Sequence, residues 1–218
     1  AVVCARAVQL QPNLAAAHMN LGNALRALGR SDEAVASHTT ALKFNPHDAR
    51  VLQNLGNALR ETGQLDDAMT RFREAIARNP QAVEAHVGLA RVLIQTGRFA
   101  EAHDTVHHVL QHWPDHEEAH NQSGLCLMAE GKHDEAISAF ERAVALQPHN
   151  IDVRSNLASA LVRQHQYHKA MYHLAHVLSA EPQHIDALTN MAVAKSETGG
   201  NHEAIRRLER ALQAAPHR

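Results

Sequence analysis

Asparagine returns on a fixed spacing in this 218-residue chain: Asn20, Asn54, Asn156 and Asn190 are separated by 34 residues or by whole multiples of 34. Gly88 and Gln122 fill the two intervening places. A primary amide carries two N–H donors and a carbonyl acceptor. A row of amides can therefore clamp the backbone of an extended peptide without reading its side chains. The same groups serve as well to bond neighbouring elements and space them. Histidine is the other residue with chemistry to offer, at 19 of 218. His103 and His107 have the i, i+4 spacing of two metal ligands on one helix, and His168, His173 and His176 crowd a second stretch. A whole repeat interval separates the two groups, too far for one ion, so no metal or cofactor is expected and solvated side chains account for them. No phosphate-binding loop, nucleophile elbow or evident acid pair occurs, so an enzyme is not expected within this span.

The elements that position these residues are set by a comb. The seven prolines, at residues 12, 46, 80, 114, 148, 182 and 216, keep the same 34-residue period. A fixed period of about 20–50 residues marks a stack of copies of one small unit. Six full units follow, 15–48, 49–82, 83–116, 117–150, 151–184 and 185–218, after a remnant at 1–14 that closes a preceding unit. Their columns align. A small residue stands at Gly22, Gly56, Ala90, Gly124, Ala158 and Ala192, and alanine alone at Ala34, Ala68, Ala102, Ala136, Ala170 and Ala204. A larger, mostly apolar column holds His38, Phe72, Val106, Phe140, Leu174 and Leu208. Within a unit the apolar residues follow i, i+3, i+4, i+7, as in Leu52, Leu55, Leu59 and then Ala68, Phe72, Ala75, Ile76. Glycine interrupts the pattern at Gly29, Gly63, Gly97, Gly131 and Gly199, with His165 in that place in the fifth unit, and supplies a helix stop. Acids such as Asp66 and Asp67 suit the start of a second helix, and proline ends it. Each unit is thus a hairpin of two helices of about 13 residues, roughly 20 Å long. The small columns mark where two backbones approach closely.

The pattern L-G-x-x-L, A-x-x-x-F and P on this period resembles the tetratricopeptide repeat, over the whole chain. The phrases NLGNALRALG and NLGNALRETG are similar to an asparagine-rich subtype found in the superhelix of O-linked N-acetylglucosamine transferases and in bacterial scaffold proteins. The resemblance implies an all-α, right-handed superhelical solenoid of antiparallel helix pairs. It also implies that the first helix of each hairpin lines a concave groove through its second, fifth, sixth, ninth, twelfth and thirteenth places. On that basis the candidate peptide-binding residues are Asn20, Asn23, Arg26, Asn54, Asn57, Arg60, Arg91, Gln122, Asn156 and Asn190. Groove places in the first three units carry Arg26, Arg50, Arg60 and Arg91 against Glu61 and Glu84. The last three carry Glu118, Asp152, Asp186 and Glu197 against Arg163. Such a gradient would orient an extended ligand, although ordinary solvated charge gives the same composition. The family often has Trp in the fourth place; here stand His18, Leu52, His86, His120, Arg154 and Leu188.

Net charge of −2 and 3% aromatic residues argue against a nucleic-acid partner, and no apolar run is long enough to span a membrane. Cys4 and Cys126 lie units apart and cannot pair, which suits a reducing, cytoplasmic setting. A start inside a helix and without Met leads to the expectation of a fragment of a longer protein. The expected function is a scaffold that binds an extended peptide or partner helix in its groove. The rival is the substrate-recognition region of a larger glycosyltransferase. His18, His86 and His120 replace large apolar side chains, so buried neutral rings and lower stability at acid pH are expected.

Overall fold

The computed structural model describes residues 2–199, and the second half of the sixth unit, with Ala204, Leu208 and Pro216, lies outside them. Among the described residues every regular element is an α-helix. In chain order these are α1 Val2–Leu10, α2 Ala15–Ala27, α3 Ser31–Phe44, α4 Ala49–Glu61, α5 Leu65–Arg78, α6 Val83–Gln95 and α7 Phe99–His112. Then come α8 Glu117–Ala129, α9 His133–Leu146, α10 Ile151–Arg163, α11 Tyr167–Ala180 and α12 Ile185–Glu197. The chain divides into two compact units, residues 1–109 and 110–218. The first holds α1 to α6 and most of α7, the second α8 to α12.

The first helices α2, α4, α6, α8 and α10 end in the same way. The N–H of the glycine, or of His165 after α10, donates to the carbonyl three residues back, and the next N–H reaches the carbonyl five residues back. Gly63 to Arg60 and Gln64 to Leu59 are one instance, and Gly131 to Met128 and Lys132 to Leu127 another. This Schellman arrangement needs a left-handed residue. Gly29, Gly63, Gly97, Gly131 and Gly199 supply it with φ between 73° and 97°. In the fifth hairpin His165 adopts φ 55° instead, with Nδ1 at 2.6 Å from the Tyr167 hydroxyl. A side chain in that region is strained. His165→Gly should therefore raise stability by about 0.5–1 kcal/mol in urea unfolding; a loss would show that the Tyr167 contact outweighs the backbone strain.

The second helices end at the proline turns. The carbonyl before each of the six described prolines accepts an N–H from three residues on, as Asn79 does from Ala82 and Glu181 from His184, with proline in its favoured second place. The fourth-place side chain then reaches back over the turn. Nε2 of His18, His86 and His120 lies 2.7, 3.0 and 2.7 Å from the carbonyl oxygens of Pro12, Pro80 and Pro114. Nε of Arg154 donates to the Pro148 oxygen at 2.6 Å. In these four repeats the place that carries Trp elsewhere closes the preceding loop by a polar contact, whereas Leu52 and Leu188 fill it in the other two. Asp48 and Asn150 cap the helices they precede with side-chain oxygens. His116 and His184 do so with Nδ1, which accepts from the N–H of Ala119 and of Ala187, so their proton sits on Nε2.

The core follows the columns. Ala34, Ala68, Ala102, Ala136 and Ala170 are fully buried. Phe72 lies over two glycines, so that a Cβ on Gly56 would come within 2.9 Å of its ring and one on Gly88 within 2.4 Å. Phe140 sits over Gly124 in the same manner, and His38 over Gly22.

Candidate binding faces

In the first compact unit, residues 1–109, α2, α4 and α6 pack in succession and carry the first group of candidate residues. Asn20 is exposed, whereas Asn23, Arg26, Asn54, Asn57, Arg60 and Arg91 are half-buried. The cations are not all held out to solvent. Nη1 of Arg26 donates to Oε1 of Glu61 at 3.0 Å, the Ser31 hydroxyl donates to Oε2 at 2.9 Å, and Nη2 of Arg60 stands 3.8 Å from Oε1. Glu61 thus gathers three partners and ties α2 to α4. The carbonyl oxygen of Asn23 is buried and meets no donor among the described residues. Gly88 interrupts the amide row because the ring of Phe72 fills the space a side chain would need.

In the second unit the row is partly turned on itself. Gln122 is buried and donates to Oε1 of Glu118 at 3.1 Å. Nδ2 of Asn156 donates to Oδ1 of Asn121 at 3.0 Å, and Nδ2 of Asn190 donates to the Ser159 hydroxyl oxygen at 2.8 Å. These bonds join α8 to α10 and α10 to α12, while Asn156 and Asn190 stay partly exposed. Beside them opens a cleft of about 370 Å³, lined by Leu125, Met128 and Ala129 of α8, Phe140 of α9, and Asn156, Ser159, Ala160 and Arg163 of α10.

The histidines divide by environment. His38 is buried, and neither ring nitrogen meets a partner among the described residues. Burial, helped by the charge of Arg26, pushes its pKa down to about 4. His173 is also lowered, first by burial, then by Arg154 and His176; its Nδ1 lies 3.4 Å from Nη1 of Arg154. No three His, Cys, Asp or Glu side chains among the described residues converge as a metal site requires. Cys126 is buried, and burial with the nearby Glu130 pushes its thiol up to about 11, which leaves it a poor nucleophile.

Residues 108–218 match the family described as the Cytochrome c-type biogenesis protein H TPR domain, and residues 13–81 and 59–122 match two families described as Tetratricopeptide repeat. The chain belongs to the tetratricopeptide repeat family. No curated protein matches it. Among solved tetratricopeptide structures, YrrB, described as a TPR protein with an unusual peptide-binding site, is 23% identical with a TM-score of 0.63. The match covers 82% of this chain and 92% of that one. PilF of Pseudomonas aeruginosa is 17% identical with a TM-score of 0.82, over 94% of this chain and 93% of that one. A chain of the APC/C hetero-tetramer Cut9–Hcn1 is 18% identical with a TM-score of 0.91, covering all of this chain and 43% of that one. At these identities the likeness concerns the fold.

Tetratricopeptide geometry also accounts for the polar residues that spacing within one unit does not single out. Ser31, Asn121 and Ser159 act across hairpins, with partners 30, 35 and 31 residues away. Those offsets are close to one repeat, so comparing polar residues one period apart would have found them. No helix among the described residues is long and apolar enough to cross a membrane.

Proposed function

We propose that this chain is a protein-interaction scaffold that binds an extended peptide or partner helix along the faces of its first helices. One observation carries the reading. Asn20, Asn54 and Asn57 on α2 and α4 of the first compact unit, and Asn156 and Asn190 on α10 and α12 of the second, remain at least partly exposed, while the small and aromatic columns beneath them are buried. Surface amides over a rigid core suit the backbone of an extended segment, which has donors and acceptors to satisfy along its length. A peptide-binding site described for YrrB supports the same role. The glycosyltransferase alternative has no support among the matched families. The two unpaired thiols favour a reducing, cytoplasmic setting.

Selection of displayed random peptides against the whole chain tests the reading. In the selected peptides, the combined variant Asn20→Ala, Asn54→Ala, Asn156→Ala should lose about 0.5–1.5 kcal/mol per removed hydrogen bond, with helical circular dichroism unchanged. Asn156 also bonds Asn121, so the pair Asn20→Ala, Asn54→Ala is the cleaner probe for peptides on the first unit. Undiminished affinity in both variants would assign the amides to spacing the array.

A further inference from the structure

The cleft between α8 and α10 has the shape and chemistry of a specificity pocket. Its walls are two facing helix rows, Leu125, Met128 and Ala129 against Asn156, Ser159, Ala160 and Arg163, with Phe140 as the floor. The small side chains Ala129, Ser159 and Ala160 leave it open. We propose that it takes an aliphatic side chain of an extended peptide, and that Arg163 pairs with an acidic residue next to that side chain. The proposal rests on the scaffold reading above and names the peptide class it would take.

The first unit shows why the carboxylate is expected. Arg26 and Glu61 hold the twelfth place of the first repeat and the thirteenth place of the second, and their ion pair at 3.0 Å closes the gap between α2 and α4. The same two places on α8 and α10 are Met128 and Arg163. This junction therefore has methionine in the guanidinium's place and a guanidinium in the carboxylate's, so the two places form no ion pair with each other. Arg163 is exposed and has no ion pair among the described residues. A ligand carboxylate reaching Arg163 would give this junction an ion pair of the kind the chain makes for itself between α2 and α4, with the two-pronged geometry that guanidinium favours. The polar groups at the cleft are half-used in a complementary way. Asn156 spends an N–H on Asn121, which leaves its carbonyl to accept a peptide N–H. The Ser159 oxygen accepts from Asn190, which leaves its hydroxyl proton to reach a peptide carbonyl.

Peptides selected from a displayed random library on the whole chain should be enriched in Leu, Ile or Met beside Asp or Glu. The probes for affinity are fluorescein-labelled nine-residue peptides of Gly and Ser with Leu-Asp, Leu-Lys or Ala-Asp at the centre. Leu-Asp should bind best. Ala129→Phe, which plugs the mouth of the cleft, should weaken Leu-Asp by about tenfold, the loss of one anchoring contact. Arg163→Glu lies on the surface and should invert the preference between Leu-Asp and Leu-Lys. Selected peptides that bind with no such enrichment, and that neither variant disturbs, would overturn the pocket and leave the scaffold reading standing. An array that selects no peptide and binds none of the probes would overturn both.

Discussion

Phe72→Ala is expected to destabilise the chain by about 3–5 kcal/mol, at the upper end for a core truncation. The ring is fully buried and fills the space over two glycines on different helices, Gly56 of α4 and Gly88 of α6. Neither glycine carries a side chain that could move into the gap. Because repeat arrays couple mainly to nearest neighbours, amide exchange should accelerate first in α4, α5 and α6. A double-mutant cycle sharpens the test. Gly88→Ala alone should cost about 1–3 kcal/mol, since its Cβ would sit 2.4 Å from the ring. In the Phe72→Ala background the same change should stabilise by about 1 kcal/mol, the helix propensity difference between alanine and glycine. Equal effects in both backgrounds would show that ring and glycine are not coupled.

That pairing also marks how far the sequence can be read. The period, the positions of the Schellman glycines and the small columns are local or strictly repetitive signals, and repetition multiplies each of them. His165 is visible as a departure because five other units define the place it fills. Gly88 appears in the sequence only as a gap in a row of amides; its reason, the ring of Phe72, belongs to the neighbouring hairpin. The ion pair of Arg26 and Glu61 and the bond between Asn156 and Asn121 likewise join side chains on separate hairpins, at 35 residues. Which groove cations are tied and which amides are spent depends on these contacts, so the binding face is less legible than the fold that carries it.

Acid should weaken the protein through His38. The sequence directs attention to His18, His86 and His120, but each of those rings has a carbonyl oxygen to donate to. His38 has none. Its folded pKa of about 4 lies below the ordinary value near 6.5, so the stability that comes from the neutral ring is complete above the unfolded value. It is lost as pH falls through the folded one. The loss should be about 2 kcal/mol at pH 5 and approach about 3 kcal/mol below pH 4. His38→Phe copies the column residue found at Phe72 and Phe140. In thermal melts it should remove most of the difference between pH 7.5 and pH 5. An unchanged difference in that variant would locate the acid sensitivity elsewhere, with His173 the next ring to replace.

The connections described above leave no slack. Each turn after a second helix is four residues closed by a proline, and in four of the described cases the next helix is fastened to it by a side chain bonded to the proline carbonyl. Each of the five turns that join α2 to α3, α4 to α5, α6 to α7, α8 to α9 and α10 to α11 is closed by paired backbone bonds around one left-handed residue. Many folds acquire new specificity by growing loops on a fixed scaffold. In this chain an inserted residue at either kind of turn would break a closure and rotate the following helix out of its column. Variation is therefore channelled to the helix faces, one side chain at a time, and length can grow without disturbance only in whole steps of 34 residues.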